Sequence, residues 1–127
     1  MRIIVEANIP YIKGLLEKFG DVAYLPASGI TADAVRRADA LFVRTRTRCD
    51  ASLLDGSSVK FVATATIGTD HIDLQWCSGA GIDVANAPGC NAPAVAQYVH
   101  AVIGSRFGGD VRGLTLGVVG VGHVGGI

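Results

Sequence analysis

Six short apolar runs, rich in β-branched residues, recur along the chain at residues 2–5, 22–25, 40–43, 60–65, 82–85 and 114–119. Each is strand-sized and too short for a self-standing helix. The segments between them carry helix punctuation. Pro10 opens and Gly20 closes a first predicted helix with Leu15, Leu16 and Phe19 on its apolar face. Thr31 caps a second, which carries Val35 and ends in Arg36 and Arg37, where positive charge is favoured. A third is short, at 51–54, and a fourth carries Ile72, Leu74, Trp76 and Cys77 and ends near Gly79 and Gly81. Asn91 is placed to cap a fifth, along which Val95, Val99, Val102 and Ile103 recur at helical spacing. Strands that alternate with helices in this way predict an α/β fold with a doubly wound parallel sheet and right-handed crossovers.

That fold says where to look for chemistry, because open α/β sheets bind ligands just outside the carboxyl ends of their strands. The fourth run changes character at such an end, from Val59-Lys-Phe-Val-Ala to Thr64, Thr66, Gly68, Thr69, Asp70 and His71. The third ends in Arg44-Thr-Arg-Thr-Arg48. Sequential strands are commonly neighbours, so the two loops are expected to converge. Guanidinium groups, hydroxyls and glycine amides together suit a carboxylate or a phosphate. The plainer alternative for Arg44, Arg46 and Arg48 is a solvated basic face. Asp70 and His71 are adjacent and do not face each other at a helix start, so Thr69 or Asp70 is expected as a helix cap rather than half of a dyad.

Bulk properties remove other classes. The chain has 127 residues, half of them hydrophobic, with 11 basic and 11 acidic side chains. A balanced charge argues against a general nucleic-acid or acidic-membrane binder, and no apolar run is long enough to span a bilayer. The charge at Arg2 comes too early for a signal peptide. Cys49, Cys77 and Cys90 share no metal or redox spacing, so a reduced, cytoplasmic protein without a metal is expected.

The last run leads into Gly120-Val-Gly122-His-Val-Gly125. Glycines at this spacing after a strand allow a tight turn, close approach of a pyrophosphate to the backbone and close helix–strand packing. No second strand, and no acidic residue about 20 positions on to hold a ribose, follows within the 127 residues. The fingerprint is therefore expected to recognise a dinucleotide only as part of a longer chain. An unpaired sixth strand would leave apolar residues needing cover, so self-association as a homodimer is expected.

On five segments the chain resembles the amino-terminal part of the D-isomer-specific 2-hydroxyacid dehydrogenase family. These are Val5-Glu-Ala-Asn-Ile-Pro-Tyr11, Ala38-Asp-Ala-Leu-Phe-Val-Arg44, Lys60-Phe-Val-Ala-Thr-Ala-Thr-Ile-Gly-Thr-Asp-His71, Ala87-Pro-Gly-Cys-Asn-Ala92 and Gly117-Val-Val-Gly-Val-Gly-His-Val-Gly125. The Thr-Ala-Thr-x-Gly-Thr-Asp-His form marks one subfamily. The resemblance implies a flavodoxin-like substrate-binding domain over residues 1–90. It implies that residues 91–127 supply a crossing helix and the first strand of a Rossmann domain that binds NAD. It further implies NAD-dependent oxidation of 4-phosphoerythronate to 2-oxo-3-hydroxy-4-phosphobutanoate, on the route to pyridoxal 5'-phosphate. By matching position, Thr45 and Thr66 would contact this small phosphorylated hydroxy acid, and Gly120, Gly122 and Gly125 would form the dinucleotide turn. The family's catalytic arginine, glutamate and histidine correspond to positions beyond 127, so this chain alone is expected to be inactive. Thr45 stands where serine is common, which keeps the hydroxyl. The alternative is a non-catalytic module that binds a phosphorylated hydroxy acid. A signalling receiver is disfavoured because Arg44 ends the third strand where a receiver has an aspartate.

Overall fold

A computed structural model describes residues 1–127. Five of the six apolar runs form strands: β1 (Arg2–Glu6), β2 (Asp21–Leu25), β3 (Ala40–Val43), β4 (Phe61–Thr64) and β5 (Asp83–Ala85). All neighbours are parallel, and the order is β2-β1-β3-β4-β5. This is the flavodoxin-like arrangement, whose direction of winding reverses between β1 and β3. The helices are α1 (Ala32–Val35), α2 (Ala51–Leu54), α3 (Leu74–Gly79) and α4 (Ala92–Arg106). None is long and apolar enough to cross a membrane. The chain divides into two compact units, Met1–Ala87 and Pro88–Ile127.

In the first unit the parallel register lines side chains into rows across the sheet. Ala23, Ile4, Leu41, Val62 and Val84 are in register across five strands. They pack with Val35, Leu53, Leu54, Val59, Cys49 and Cys77 into the main core, so α1, α2 and α3 all cover that face. The alternate residues Val22, Ile3, Ala40 and Phe61 make the opposite row. There Phe42 and Phe61 meet edge to face at 6.1 Å, and Ile9, Ile12 and Leu16 complete a smaller cluster.

The predicted helix after Pro10 does not form. Tyr11 and Gly14 adopt φ of 58° and 87°, which an α-helix cannot continue through. The segment instead makes turns and a single 3₁₀ turn at Glu17–Phe19, and Leu15 and Phe19 remain exposed. The Thr31 cap does form, with its hydroxyl accepting from the Ala34 amide at 3.3 Å. The cap expected from Thr69 or Asp70 falls instead to Asp73, whose carboxylate accepts from the Trp76 amide at 2.9 Å. Residues 69–72 are spent on a turn, with the Ile72 amide on the Thr69 carbonyl, and helical geometry begins only at Leu74.

The second unit holds α4 and a glycine-rich tail. Asn91 occupies the position before α4, but its side chain makes no capping bond, because its backbone is already in the helical region (φ −98°, ψ −3°). Val99 and Val102 stay exposed along the helix. The predicted sixth strand, 114–119, forms no ladder. Its residues lie extended along α4, with Leu116 and Val118 beside Val95 and Val99 around a groove of about 350 Å³. A strand is defined by a neighbour's hydrogen bonds, and no neighbour is supplied here.

Candidate functional site

The site is built at the carboxyl ends of β1, β3 and β4. Glu6 closes β1 and is 1 % exposed, an unusual position for a carboxylate. It is held there by donors from the loop after β3. The Arg44 amide and the Thr47 hydroxyl donate to Glu6 Oε2 at 2.9 and 3.1 Å. Arg44 Nη1 also donates to the Asn8 carbonyl at 3.2 Å. These bonds pin the two loops together across the point where the winding of the sheet reverses. The sequence ends the first apolar run at residue 5 and gives Glu6 no role. Its one visible signal was a charge at the end of an otherwise apolar strand.

With the loop pinned, the three arginines separate in function. Arg44 is spent on the Asn8 carbonyl, and Arg48 pairs with Asp50 at 2.7 Å. The Asp50 carboxyl lies below its ordinary value because Ser52 and then Arg48 hydrogen-bond to it. Arg46 is exposed and makes neither a hydrogen bond nor an ion pair within the protein. It is the unpaired cation of this loop. Arg46 and Arg48 are thus exposed, as a solvated basic face requires, and Arg44 is the one drawn in against the β1 loop.

The β4 end carries a chain of hydroxyls. Thr64 Oγ1, buried, lies 2.6 Å from Thr66 Oγ1 and 2.9 Å from His71 Nε2. Thr66 Oγ1 in turn donates to the Gly68 carbonyl at 3.1 Å. The loop is braced from behind, where Asn86 Nδ2 donates to the Ile67 carbonyl at 2.7 Å and the Ala87 amide to the Thr66 carbonyl at 3.1 Å. Cys49 bridges the far side. Its amide donates to the His71 carbonyl and its carbonyl accepts from the Asp73 amide, both at 2.8 Å. Burial pushes the Cys49 thiol up to about 12, which makes it a packing residue rather than a nucleophile. Burial also lowers His71 below the usual imidazole value, against the opposing pull of Asp70 and Glu6.

The loops after β3 and β4 do converge. Thr45, Arg46, Arg48, Gly68, Asp70 and His71 line a cleft of about 420 Å³. A second hollow, of about 310 Å³, continues from it past Thr45 and Arg46 to Arg44, Asn8 and Glu6. Thr45 therefore sits at the junction of both. Thr66 is not among the lining residues and is linked to the cleft directly through Gly68 and, by way of Thr64, to His71. Sequence reasoning set His71 aside because adjacent residues cannot form a dyad. Its actual partner, Thr64, is seven positions back, on the strand itself.

In the second unit, Gly120 precedes a bend at Gly122 and a turn that contains Gly125. Gly120 has φ of 89°, and a Cβ on Gly125 would overlap the Gly120 carbonyl oxygen, so neither position tolerates a side chain. Nothing lies within 4 Å of a Cβ built on Gly120 or Gly122, so the backbone there is open to close approach. These features fit a pyrophosphate-binding turn.

Residues 3–119 match the family described as D-isomer specific 2-hydroxyacid dehydrogenase, catalytic domain. The erythronate-4-phosphate dehydrogenase of Bacteroides fragilis is 51 % identical over 129 residues, covering 98 % of this chain and 37 % of its own. That of Sodalis glossinidius is 50 % identical, covering 99 % of this chain and 34 % of its own. The chain thus spans about a third of the length of the curated relatives it matches. Among solved structures, a cofactor (NAD+) bound 3-phosphoglycerate dehydrogenase of Entamoeba histolytica superposes with a TM-score of 0.68 at 26 % identity, over 99 % of this chain and 48 % of that one. The D-lactate dehydrogenase of Aquifex aeolicus, at 20 % identity and a TM-score of 0.64 over 99 % of this chain and 46 % of that one, shares the fold. The sheet order, the site at its point of reversal and the family match over residues 3–119 lead to one conclusion: this chain belongs to the D-isomer specific 2-hydroxyacid dehydrogenase family.

Proposed function

We propose that the chain supplies the substrate-binding part of an enzyme that oxidises 4-phosphoerythronate with NAD, on the route to pyridoxal 5'-phosphate. The observation that carries the reading is the cleft between the β3 and β4 loops, with Arg46 as its unpaired cation and Thr45 at its centre. A small substrate with an anionic group at each end suits a site whose cation faces two adjoining hollows. In this reading residues 1–90 bind the hydroxy acid, with Thr45 as a contact and Thr66 acting from behind the cleft through Gly68. Residues 91–127 begin the NAD-binding part, and the glycines at 120, 122 and 125 hold its pyrophosphate. Bound there, NAD would supply the hydride-accepting chemistry that the oxidation requires. Support for the substrate comes from the two relatives near half identity, and support for NAD from the glycine turn.

No residue of this chain is assigned the acid–base role of hydride transfer. A mixture of the chain, NAD and 4-phosphoerythronate is expected to form no NADH, while calorimetric titration with 4-phosphoerythronate alone shows binding. Arg46→Ala should weaken that binding about tenfold, the scale of a charge-assisted hydrogen bond. Thr66→Val should weaken it less and leave the fold nearly as stable. NADH above the no-protein control would overturn the assignment of the chemistry. Binding unchanged in Arg46→Ala would overturn the assignment of the cleft. The exposed apolar residues Val99, Val102, Val118 and Val119 favour self-association as a homodimer, and a sedimentation experiment that finds only monomer would remove that part of the reading.

A further inference from the structure

Two polar side chains of the cleft, Asp70 and His71, have no task in the proposed function, and of these His71 is tied to the strand by a hydrogen bond. The hydroxyl chain beside it fixes what the ring can offer. Three contacts run in series: His71 Nε2 to Thr64 Oγ1, Thr64 Oγ1 to Thr66 Oγ1, and Thr66 Oγ1 to the Gly68 carbonyl. Each hydroxyl has one proton to donate, and a carbonyl can only accept. If Thr66 donates to Gly68, Thr64 must donate to Thr66, and the remaining contact needs a proton from the ring. The opposite polarity gives Thr64 to the ring and Thr66 to Thr64, and leaves the Gly68 contact without a proton. Only the first polarity satisfies all three contacts, so His71 carries its proton on Nε2.

The other ring nitrogen is then the informative one. Nδ1 makes no hydrogen bond within the protein, yet no buried side-chain nitrogen or oxygen is left without a partner. Nδ1 is therefore open to solvent, on a side chain that lines the cleft. We propose that His71 is a specificity-determining residue of this cleft, its Nδ1 lone pair accepting a hydrogen bond from a hydroxyl group of the bound anion. The ligand class that follows is a hydroxylated anion, with its charge on Arg46 and its hydroxyl on His71. This rests on the cleft being the hydroxy-acid site and adds to it the group that distinguishes a hydroxy acid from a plain one. Thr64 and Thr66 act here as positioning residues for the ring. The neutral ring is the competent form, and burial favours it; Asp70 and Glu6 oppose that preference, and Arg46 and Arg48 share the cleft. At acid pH a doubly protonated ring has no lone pair to accept with, but adds a positive charge beside Arg46.

The test compares two probes on the 127-residue chain, 4-phosphoerythronate and 4-phosphonooxybutanoate, which keeps both anionic groups and lacks the hydroxyls. At about pH 8, where the imidazole is neutral, the wild-type chain should prefer the hydroxylated probe by about fivefold, the scale of one neutral hydrogen bond. His71→Phe should lose that preference and keep its affinity for the plain probe. Thr64→Val, which retains the ring but frees it, should lose most of the preference as well. Lowering the pH should diminish the wild-type preference as the ring takes up its second proton, read as the ratio of the two probes because their phosphates protonate over the same range. A preference undiminished in His71→Phe overturns the assignment and leaves the cleft reading standing. If neither probe binds the wild-type chain, the cleft reading fails, and nitrogen chemical shifts of the ring then decide the rest. A neutral ring protonated on Nε2 upholds the polarity, and one protonated on Nδ1 overturns it.

Discussion

Residues 40–43 and 114–119 are close in composition and opposite in fate. Ala40-Leu-Phe-Val43 is a central strand, with Leu41 in register between Ile4 and Val62 and fully buried. Leu114-Thr-Leu-Gly-Val-Val119 pairs with nothing, and Leu116 and Val119 are exposed at 65 % and 103 %. Preference for β-structure is largely a preference for a pleated, half-buried surface. It is realised only where neighbours on both sides provide that surface. The unit of residues 1–87 holds five such strands that bury one another, whereas the unit of residues 88–127 holds one apolar run and a helix. A run of β-branched residues therefore marks a candidate for a sheet, and the rest of the sheet decides the outcome.

The contrast can be tested most strongly through the thiols. Cys49 and Cys77 are buried in the first unit, and Cys90 is exposed in the second. A thiol reagent at mildly alkaline pH should modify Cys90 at once. Cys49 should react only as fast as the first unit opens, slower by about 1,000-fold or more if opening is close to global unfolding. The ionisation of Cys49 acts in the same direction. Its value is raised from 9.0 to about 12 by burial, and then by Cys77, Asp50 and Glu6, so the folded state favours the protonated thiol. The stability this contributes is complete below 9.0 and is lost as the pH rises through about 12. Equal labelling rates at Cys49 and Cys90 would mean that the first unit is no firmer than the second.

A pair of truncations sharpens the same comparison. Leu41→Ala removes a side chain with no exposure from the middle of the row across the sheet and should cost about 2–5 kcal/mol. Val118→Ala, 54 % exposed in the tail, should stay within about 0.5 kcal/mol. Urea unfolding followed by far-ultraviolet circular dichroism measures both. A cost above about 2 kcal/mol for Val118→Ala would mean that residues 114–119 are packed as firmly as β3.

The same distinction explains what the sequence revealed. The five strands, their parallel order and the convergence of the β3 and β4 loops were legible, because alternation of strand and helix constrains topology strongly. The position of α1 was legible from its Thr31 cap, and those of α2 and of the start of α4 were legible as well, although the cap expected from Asn91 is not made. The helix after Pro10 was misread, since its apolar spacing says nothing of the positive φ at Tyr11 and Gly14. In the site, Thr45 and Arg46 were visible as polar residues at a strand end. Glu6 was not, because a carboxylate is buried only when donors from a distant loop reach it, and Arg44 and Thr47 are 38 and 41 positions away. His71 was discounted on local geometry that was correct, since its partner comes from β4 and not from Asp70.

The smallest expected effect concerns that histidine, and it separates a residue tied into the first unit from one merely near it. Burial lowers the imidazole of His71 from the ordinary 6.5, so the folded chain favours the neutral ring more than the unfolded chain does. A depressed value gives stability that is complete above the unfolded value and is lost as the pH falls through the folded one. The urea midpoint should thus decrease from about pH 7.5 to about pH 5, by less than either truncation contrast because the ring is only partly buried. His71→Gln should flatten this part of the profile, since an amide does not titrate and can still donate to Thr64. Thr64→Val should flatten it only in part, because the freed ring still titrates but is less firmly held in its partly buried position. A wild-type midpoint that holds or rises over this range would mean that the pull of Asp70 and Glu6 on the charged ring outweighs its burial. The hydroxyl chain would then be holding an imidazolium rather than an imidazole.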